Sequence, residues 1–121
     1  MAKEILDQKQ LDAAEEQSAK SSSMTYTHTF KTPFVFEGET YTDITFDWSR
    51  LTGHDSLAIE NELSKLGKMV AVPALSADYL IRMAARASDP EIGADMMLEM
   101  PLSDFNAIRS AARSFLLRSE R

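Results

Sequence analysis

Residues 26–48 read YTHTFKTPFVFEGETYTDITFDW, and this stretch decides the fold that we predict for the chain. It contains seven of the chain's ten aromatic residues, interleaved with threonine, in two runs on either side of Glu37-Gly38-Glu39. Aromatic and β-branched residues on both sides of a turn that contains glycine are typical of a β-hairpin. We therefore expect two antiparallel strands here.

Two registers of this hairpin are compatible with the sequence. A two-residue turn at Glu37-Gly38 suits type I′ geometry and places Phe34 opposite Tyr41. A three-residue loop would gather a larger apolar face, which comprises Phe30, Phe34, Ile44, Phe46 and Trp48. The three-residue loop concentrates the apolar residues better, and the pattern alone leaves both registers open.

After Trp48 the apolar residues recur at helical spacing. Thr52, followed three residues later by Asp55, resembles a capping box and predicts the start of a first helix, which Gly67 should end. Ser76 is a suitable N-cap for a second helix. The middle of the chain is therefore expected to form two helices joined by a short connector.

Two further helices are expected towards the end of the chain. Pro90 suits the first turn of a short helix that ends near Leu98, and Gly93 would interrupt this helix. Pro101 breaks the segment, and Ser103 then starts the last helix. The predicted fold class is α+β, with an N-terminal β-hairpin followed by a bundle of three to four short helices.

The amino-acid composition of residues 1–23 differs from that of the rest of the chain. Residues 3–17 are helix-forming but contain few large apolar side chains, and residues 18–23 are polar. We expect a flexible or weakly helical N-terminal extension at 1–23 and one domain at 24–121, since a single core of ordinary size needs roughly 100–150 residues.

The composition argues against several classes of function. The net charge of −6 would repel a phosphate backbone, and the absence of cysteine excludes disulfides and thiolate metal sites. No run approaches the roughly 18 apolar residues that a transmembrane helix needs, and the first 16 residues hold no apolar run of signal-peptide length. We expect a cytoplasmic protein that binds neither nucleic acid nor a membrane.

Side chains that could perform chemistry are few and scattered. The only histidines are His28, expected at the surface or at the hairpin edge, and His54, expected in the exposed first turn of a helix. No acidic or histidine residues have the spacing of a metal site, and the four glycines stand singly rather than in a phosphate-binding loop. We therefore expect no enzymatic activity and no cofactor.

Methionine is the one unusual feature of the composition. Met96, Met97 and Met100 fall within five residues, and three methionines so close together are not expected to face one core from a helix. Flexible thioethers suit surfaces that accept varied apolar partners. We predict a partner-binding surface made of Met96, Met97, Met100, Phe105, Ile108 and Phe115. The alternative is that all six residues belong to the core.

Four short motifs occur in order in the segment 26–118. They are FVFEGETYTDITF at 34–46, RLTGHD at 50–55, VPALSADYL at 72–80 and MPLSDFNAI at 100–108. In this order and spacing the chain resembles the tail assembly chaperone family of Mu-like and related long-tailed phages and prophages. Residues 1–23 have no counterpart in the outline of that family.

The resemblance implies a protein that keeps the tape measure protein of the phage tail soluble while tube subunits polymerise around it. Such a chaperone would act in the host cytoplasm, recruit the tail tube protein through a longer frameshifted form, associate with other copies of itself and be absent from the mature virion. The alternative interpretation is a structural tail component, such as a tube-associated or terminator-like subunit, which stays in the virion.

Overall fold

The computed structural model describes residues 24–119, so the predicted N-terminal extension at 1–23 lies outside the described residues. The strands are β1 (Thr25–Phe36), β2 (Glu39–Asp47) and β3 (Ser88–Asp89), and the helices are α1 (Gly53–Lys65), α2 (Ala77–Ala87), α3 (Ala94–Glu99) and α4 (Leu102–Ser119). Short 3₁₀ turns span Trp48–Arg50 and Pro73–Leu75. The predicted α+β class, a hairpin followed by helices, is confirmed, and β3 adds a third antiparallel strand beside β2.

The hairpin turn has two residues. Glu37 and Gly38 both adopt positive φ, at 50° and 81°, as a type I′ turn requires. Phe34 pairs with Tyr41 across the strands, so of the two registers that the sequence leaves open, the structure adopts the one with the two-residue turn. The local twist of the turn therefore decides the register at this end of the hairpin.

Further from the turn the register shifts. Thr29 pairs with Asp43, and Phe34 pairs with Tyr41. The four β1 residues 30–33 therefore face a single β2 residue, Thr42. Pro33 lies in this irregular segment, where its missing N–H breaks no regular ladder hydrogen bond. Beyond the shift even-numbered residues pair with even-numbered ones, and the buried apolar face contains Phe30, Ile44, Phe46 and Trp48.

The first helix begins and ends where the sequence predicts. The backbone N–H of Thr52 donates to the Asp55 carboxylate over 2.8 Å, which is one half of a capping box. At the other end Gly67 has a φ of 74°, and the N–H of Lys68 donates to the carbonyl of Leu63 over 2.9 Å. The predicted capping box and glycine stop are confirmed.

The segment before α3 differs from the prediction. Pro90 does not open a helix, because Ser88–Asp89 pairs with β2 and the Asp89–Pro90 peptide bond is cis. Gly93 is the N-cap of α3 and does not interrupt it. The hydroxyl of Ser88 donates to the carbonyl of Ala85 and accepts from the N–H of Ile92 over 2.9 Å, and these bonds hold the chain extended here.

Helix α2 is the centre of the domain. Eight of its eleven residues are buried, and it contacts the other three helices and β2. Its N-cap is Ser76, whose hydroxyl accepts the N–H of Tyr79 over 3.1 Å, as predicted. Because α2 is covered on most sides, surfaces that bind a partner must come mainly from the elements around it.

Candidate protein-binding surfaces

Four of the six predicted contact residues belong to the core. Met96, Met97, Met100 and Ile108 are each 7% exposed or less, whereas Phe105 and Phe115 are partly buried. The prediction that the three methionines form a surface was wrong. Successive α-helical residues are rotated by roughly 100°, so residues at positions i, i+1 and i+4 lie within an arc of about 100° and can share one buried face.

Phe115 is the predicted contact residue that reaches an open groove. Its ring stacks on Trp48 with centroids 5.5 Å apart, and it lines a cavity of about 310 Å³ between α1, α2 and the end of α4. We call this cavity the Phe115 groove. Its apolar lining consists of Leu51, Ile59, Tyr79, Met83, Phe115 and Leu116. Phe105 is not part of this lining.

The floor of the Phe115 groove is fixed by packing and by one hydrogen bond. Ile59, Tyr79 and Met83 are at most 4% exposed, and the hydroxyls of Tyr79 and Ser56 are hydrogen-bonded over 2.7 Å. A floor held in this way keeps its shape before a partner arrives, which lowers the entropic cost of binding. The groove is therefore largely pre-formed.

A second hollow continues the groove along the start of α1. It is lined by Gly53, His54, Ser56 and Leu57, and Leu57 is 66% exposed. His54 lies exposed in the first turn of α1, as predicted. Gly53 and Ser56 line both hollows, so the two hollows adjoin, and the exposed Leu57 lies in the second hollow beside the rim of the groove.

The rim of the groove also carries a carboxylate. Asp55 accepts hydrogen bonds from the N–H of Thr52 and from the guanidinium of Arg86, the latter over 2.7 Å. The Thr52 bond and then the Arg86 partner lower the pKa of Asp55 from its usual value. This carboxylate therefore stays charged at neutral pH and gives the apolar groove a polar edge.

A row of exposed apolar residues lies on the connector between α1 and α2. Leu66, Met69, Val72 and Leu75 are spaced every third residue and are 56%, 95%, 50% and 72% exposed. We call these four residues the connector row. An exposed apolar cluster of this kind is typical of an interaction surface.

A buried chain of hydrogen-bonded polar side chains, which the sequence did not predict, joins β1 to α4. His28 is 6% exposed, so its predicted position at the surface or edge was wrong. Its Nε2–H donates to the carboxylate of Asp104 over 2.8 Å, and its Nδ1 is 2.9 Å from the hydroxyl of Tyr26. The only available signal was that His28 shares the strand parity of the buried Phe30.

The buried surroundings of these hydrogen-bonded side chains change the pKa of Tyr26. Burial and then the nearby charge of Asp104 raise the pKa of the Tyr26 phenol. A protonated phenol beside a histidine and a carboxylate resembles a proton relay, but it is packed against the core, away from the Phe115 groove. We assign it a structural role, which is to pin the first strand to the last helix.

Two further kinds of feature, a metal site and a membrane-spanning helix, have no candidate in residues 24–119. This part of the chain contains no group of three or more histidine or acidic side chains that could hold a metal ion. Within the same range no helix is long and apolar enough to cross a membrane. Comparison with known protein families, curated proteins and solved structures found no match to this chain.

Proposed function

We propose that this chain is a tail assembly chaperone of a long-tailed phage, which binds an amphipathic helix of the tape measure protein in the Phe115 groove. One observation carries the proposal. An open apolar groove between helices, with a fixed floor and an exposed leucine at its rim, lies on a small domain of net charge −6. Such grooves bind the apolar face of a partner helix.

The dimensions of the groove suit weak binding by each copy. A cavity of about 310 Å³ lies at the lower end of the size range of binding pockets and has room for a few side chains. Many copies bound side by side along one tape measure would hold it by avidity, and each could still leave as the tube grows. The acidic surface would keep the coated tape measure soluble.

The setting follows from the same proposal. The chaperone would act in the host cytoplasm, without a catalytic step or a cofactor, and would be absent from the finished virion. It would bind the tape measure protein directly and the tail tube protein through a longer frameshifted form. Nucleic acid is not among the proposed partners, because the net charge of −6 would oppose contact with phosphates.

The test is co-expression of the chain with the tape measure protein encoded nearest to it, followed by affinity purification and light scattering. The critical variant is Leu57→Asp, which places a charge at the rim while leaving the core intact. We expect the amount of soluble tape measure protein recovered per chaperone chain to fall at least about tenfold. The reason is that an unpaired charge in an apolar contact costs more than about 1.4 kcal/mol of binding free energy.

Leu98→Asp is the matched control, because Leu98 is 61% exposed and lies on α3, outside the lining of both the groove and the second hollow, whereas Leu57 lines the second hollow. It should solubilise as much tape measure as the unmodified chain. Equal solubilisation by the Leu57 and Leu98 variants would refute the groove assignment. Aggregation of the tape measure with the unmodified chain would refute the chaperone role itself.

A structural tail component is the second candidate, and the position of β1 favours it. This strand lies at the outer edge of the sheet, where another chain could add a strand. Lys31, Pro33 and the register shift interrupt that edge, and such features normally protect against strand addition. Detection of the protein in purified virions would favour this candidate over the chaperone.

A further inference from the structure

The apolar side chains of the connector row point outwards, whereas apolar side chains of a surface segment usually point towards the core. Val70 packs against the core and Ala74 is buried, while the residues of the connector row point outwards. Outward positions of a connector are normally polar, because nothing covers them. Ten large apolar side chains are exposed in the described part of the chain, and four of them lie between residues 66 and 75. A covering partner would explain this concentration.

The connector is held in a defined shape. The side chain of Lys68 donates to both carboxylate oxygens of Asp78 over 3.2 Å. Towards its end, the N–H of Leu75 donates to the carbonyl of Val72 over 3.0 Å, in a turn that begins at Pro73. A segment that is already ordered loses little entropy when a partner covers it.

The surface around Met69 is self-complementary. Met69 is 95% exposed and lies beside an open hollow of about 420 Å³, which is lined by Glu60, Ser64, Gly67, Lys68, Met69 and Val70. A projecting side chain beside a hollow on the same surface is what a two-fold interface between identical chains requires. The hollow also carries one acid and one base, Glu60 and Lys68. A two-fold axis can place each of these opposite its counter-charge in the other copy.

We propose that the connector row is a homodimer interface, in which Met69 of each copy enters the hollow of the other. The occupant is a second copy of this chain because the surface offers both the projection and the hollow, with balanced charge on an otherwise acidic protein. The lining of this hollow shares no residue with the Phe115 groove.

The first test is sedimentation velocity on the full chain over a range of concentrations. The unmodified chain should form dimers, and Met69→Asp should weaken dimerisation at least tenfold. Val35→Asp is the matched control, because Val35 is 62% exposed on the hairpin, away from the connector. It should dimerise normally, and circular dichroism should show that both variants remain folded.

Charge reversal provides the second test. Glu60→Lys and Lys68→Glu should each weaken the dimer, because like charges would then face each other across the two-fold axis. Lys68→Glu also breaks the contact of Lys68 with Asp78, so Asp78→Asn, which weakens that contact alone, is its control and should dimerise normally. An equimolar mixture of the two charge-reversal variants should restore dimers to near the level of the unmodified chain, since both contacts become oppositely charged again.

Several results would overturn the proposal. These are a monomeric unmodified chain at all concentrations, equal dimerisation by the Met69 and Val35 variants, or no recovery in the mixture of charge variants. If the unmodified chain is monomeric and Met69→Asp instead loses the tape measure, then the tape measure covers the connector row and the second copy does not. Loss of tape measure binding by Leu57→Asp alone leaves this proposal intact, so the two proposals fail separately.

Discussion

Removing the Asp104 carboxylate should destabilise the domain strongly, because this group is the buried end of the polar chain that joins β1 to α4. Asp104 is 3% exposed and accepts the Nε2–H of His28 over 2.8 Å. In Asp104→Ala the imidazole keeps its place in the core, but its Nε2–H loses this acceptor. Water does not replace the acceptor easily, since His28 is 6% exposed.

The size of the effect follows from this geometry. A hydrogen bond to a charged group contributes roughly 1.5–3 kcal/mol, so we expect Asp104→Ala to lower the free energy of unfolding by about 2–3 kcal/mol. At 4–8 °C per kcal/mol for a domain of this size, that corresponds to a fall in Tm of roughly 10–20 °C. Asp104→Asn keeps an acceptor oxygen, and a hydrogen bond between neutral groups still contributes about 1 kcal/mol, so this variant should lose only about 1–2 kcal/mol.

Urea unfolding followed by tryptophan fluorescence is the assay. Trp48 is the only tryptophan of the chain, is 2% exposed and stacks on Phe115 of α4, so it reports on the helix that Asp104 anchors. A cycle with His28→Phe should show a coupling of about 1–3 kcal/mol between the two positions. The reasoning is refuted if the Ala and Asn variants cost the same, since packing would then outweigh the hydrogen bond.

Two further predictions test the core and the polar chain. Met97 is completely buried, so Met97→Ala should lower the free energy of unfolding by about 2–5 kcal/mol, measured in urea; a cost below about 0.5 kcal/mol would restore the surface interpretation of the methionines. Because the pKa of Tyr26 is raised, the folded state disfavours the phenolate. The contribution of the protonated Tyr26 phenol to the free energy of unfolding is therefore complete below the usual pKa of about 10 and is lost as the pH rises through the raised pKa. Stability should therefore fall less steeply at alkaline pH in Tyr26→Phe than in the unmodified chain, and parallel curves would contradict this.

Local signals in the sequence predicted most element boundaries correctly. The Asp55 carboxylate caps α1, Gly67 ends it and Ser76 caps α2, because each of these features acts through bonds within a few residues. The hairpin register was harder, since the type I′ turn and the distant apolar face require different pairings. A register shift around Pro33 satisfies both requirements, and no local pattern in the sequence indicates it.

The candidate site was predicted less well than the fold. The sequence identified Phe115, because a large aromatic lies on the apolar stripe of the last helix, and in the structure this ring stacks on Trp48 and lines the open groove. It did not identify the connector row, since apolar residues every third position match neither a helix nor a strand. The burial of His28 depends on Asp104, which is 76 residues away in the sequence and becomes a neighbour only in the folded chain.

The β-hairpin is connected to the candidate site through an aromatic stack. Tyr26 stacks on Phe46 with centroids 6.2 Å apart, Phe46 on Trp48 at 5.8 Å, and Trp48 on Phe115 at 5.5 Å. The stack runs from the first strand to the wall of the Phe115 groove. Since packed cores transmit displacement rather than absorb it, a change in the hairpin must move that wall. We therefore interpret the hairpin as the scaffold that sets the width of the groove, and the partner need not touch it.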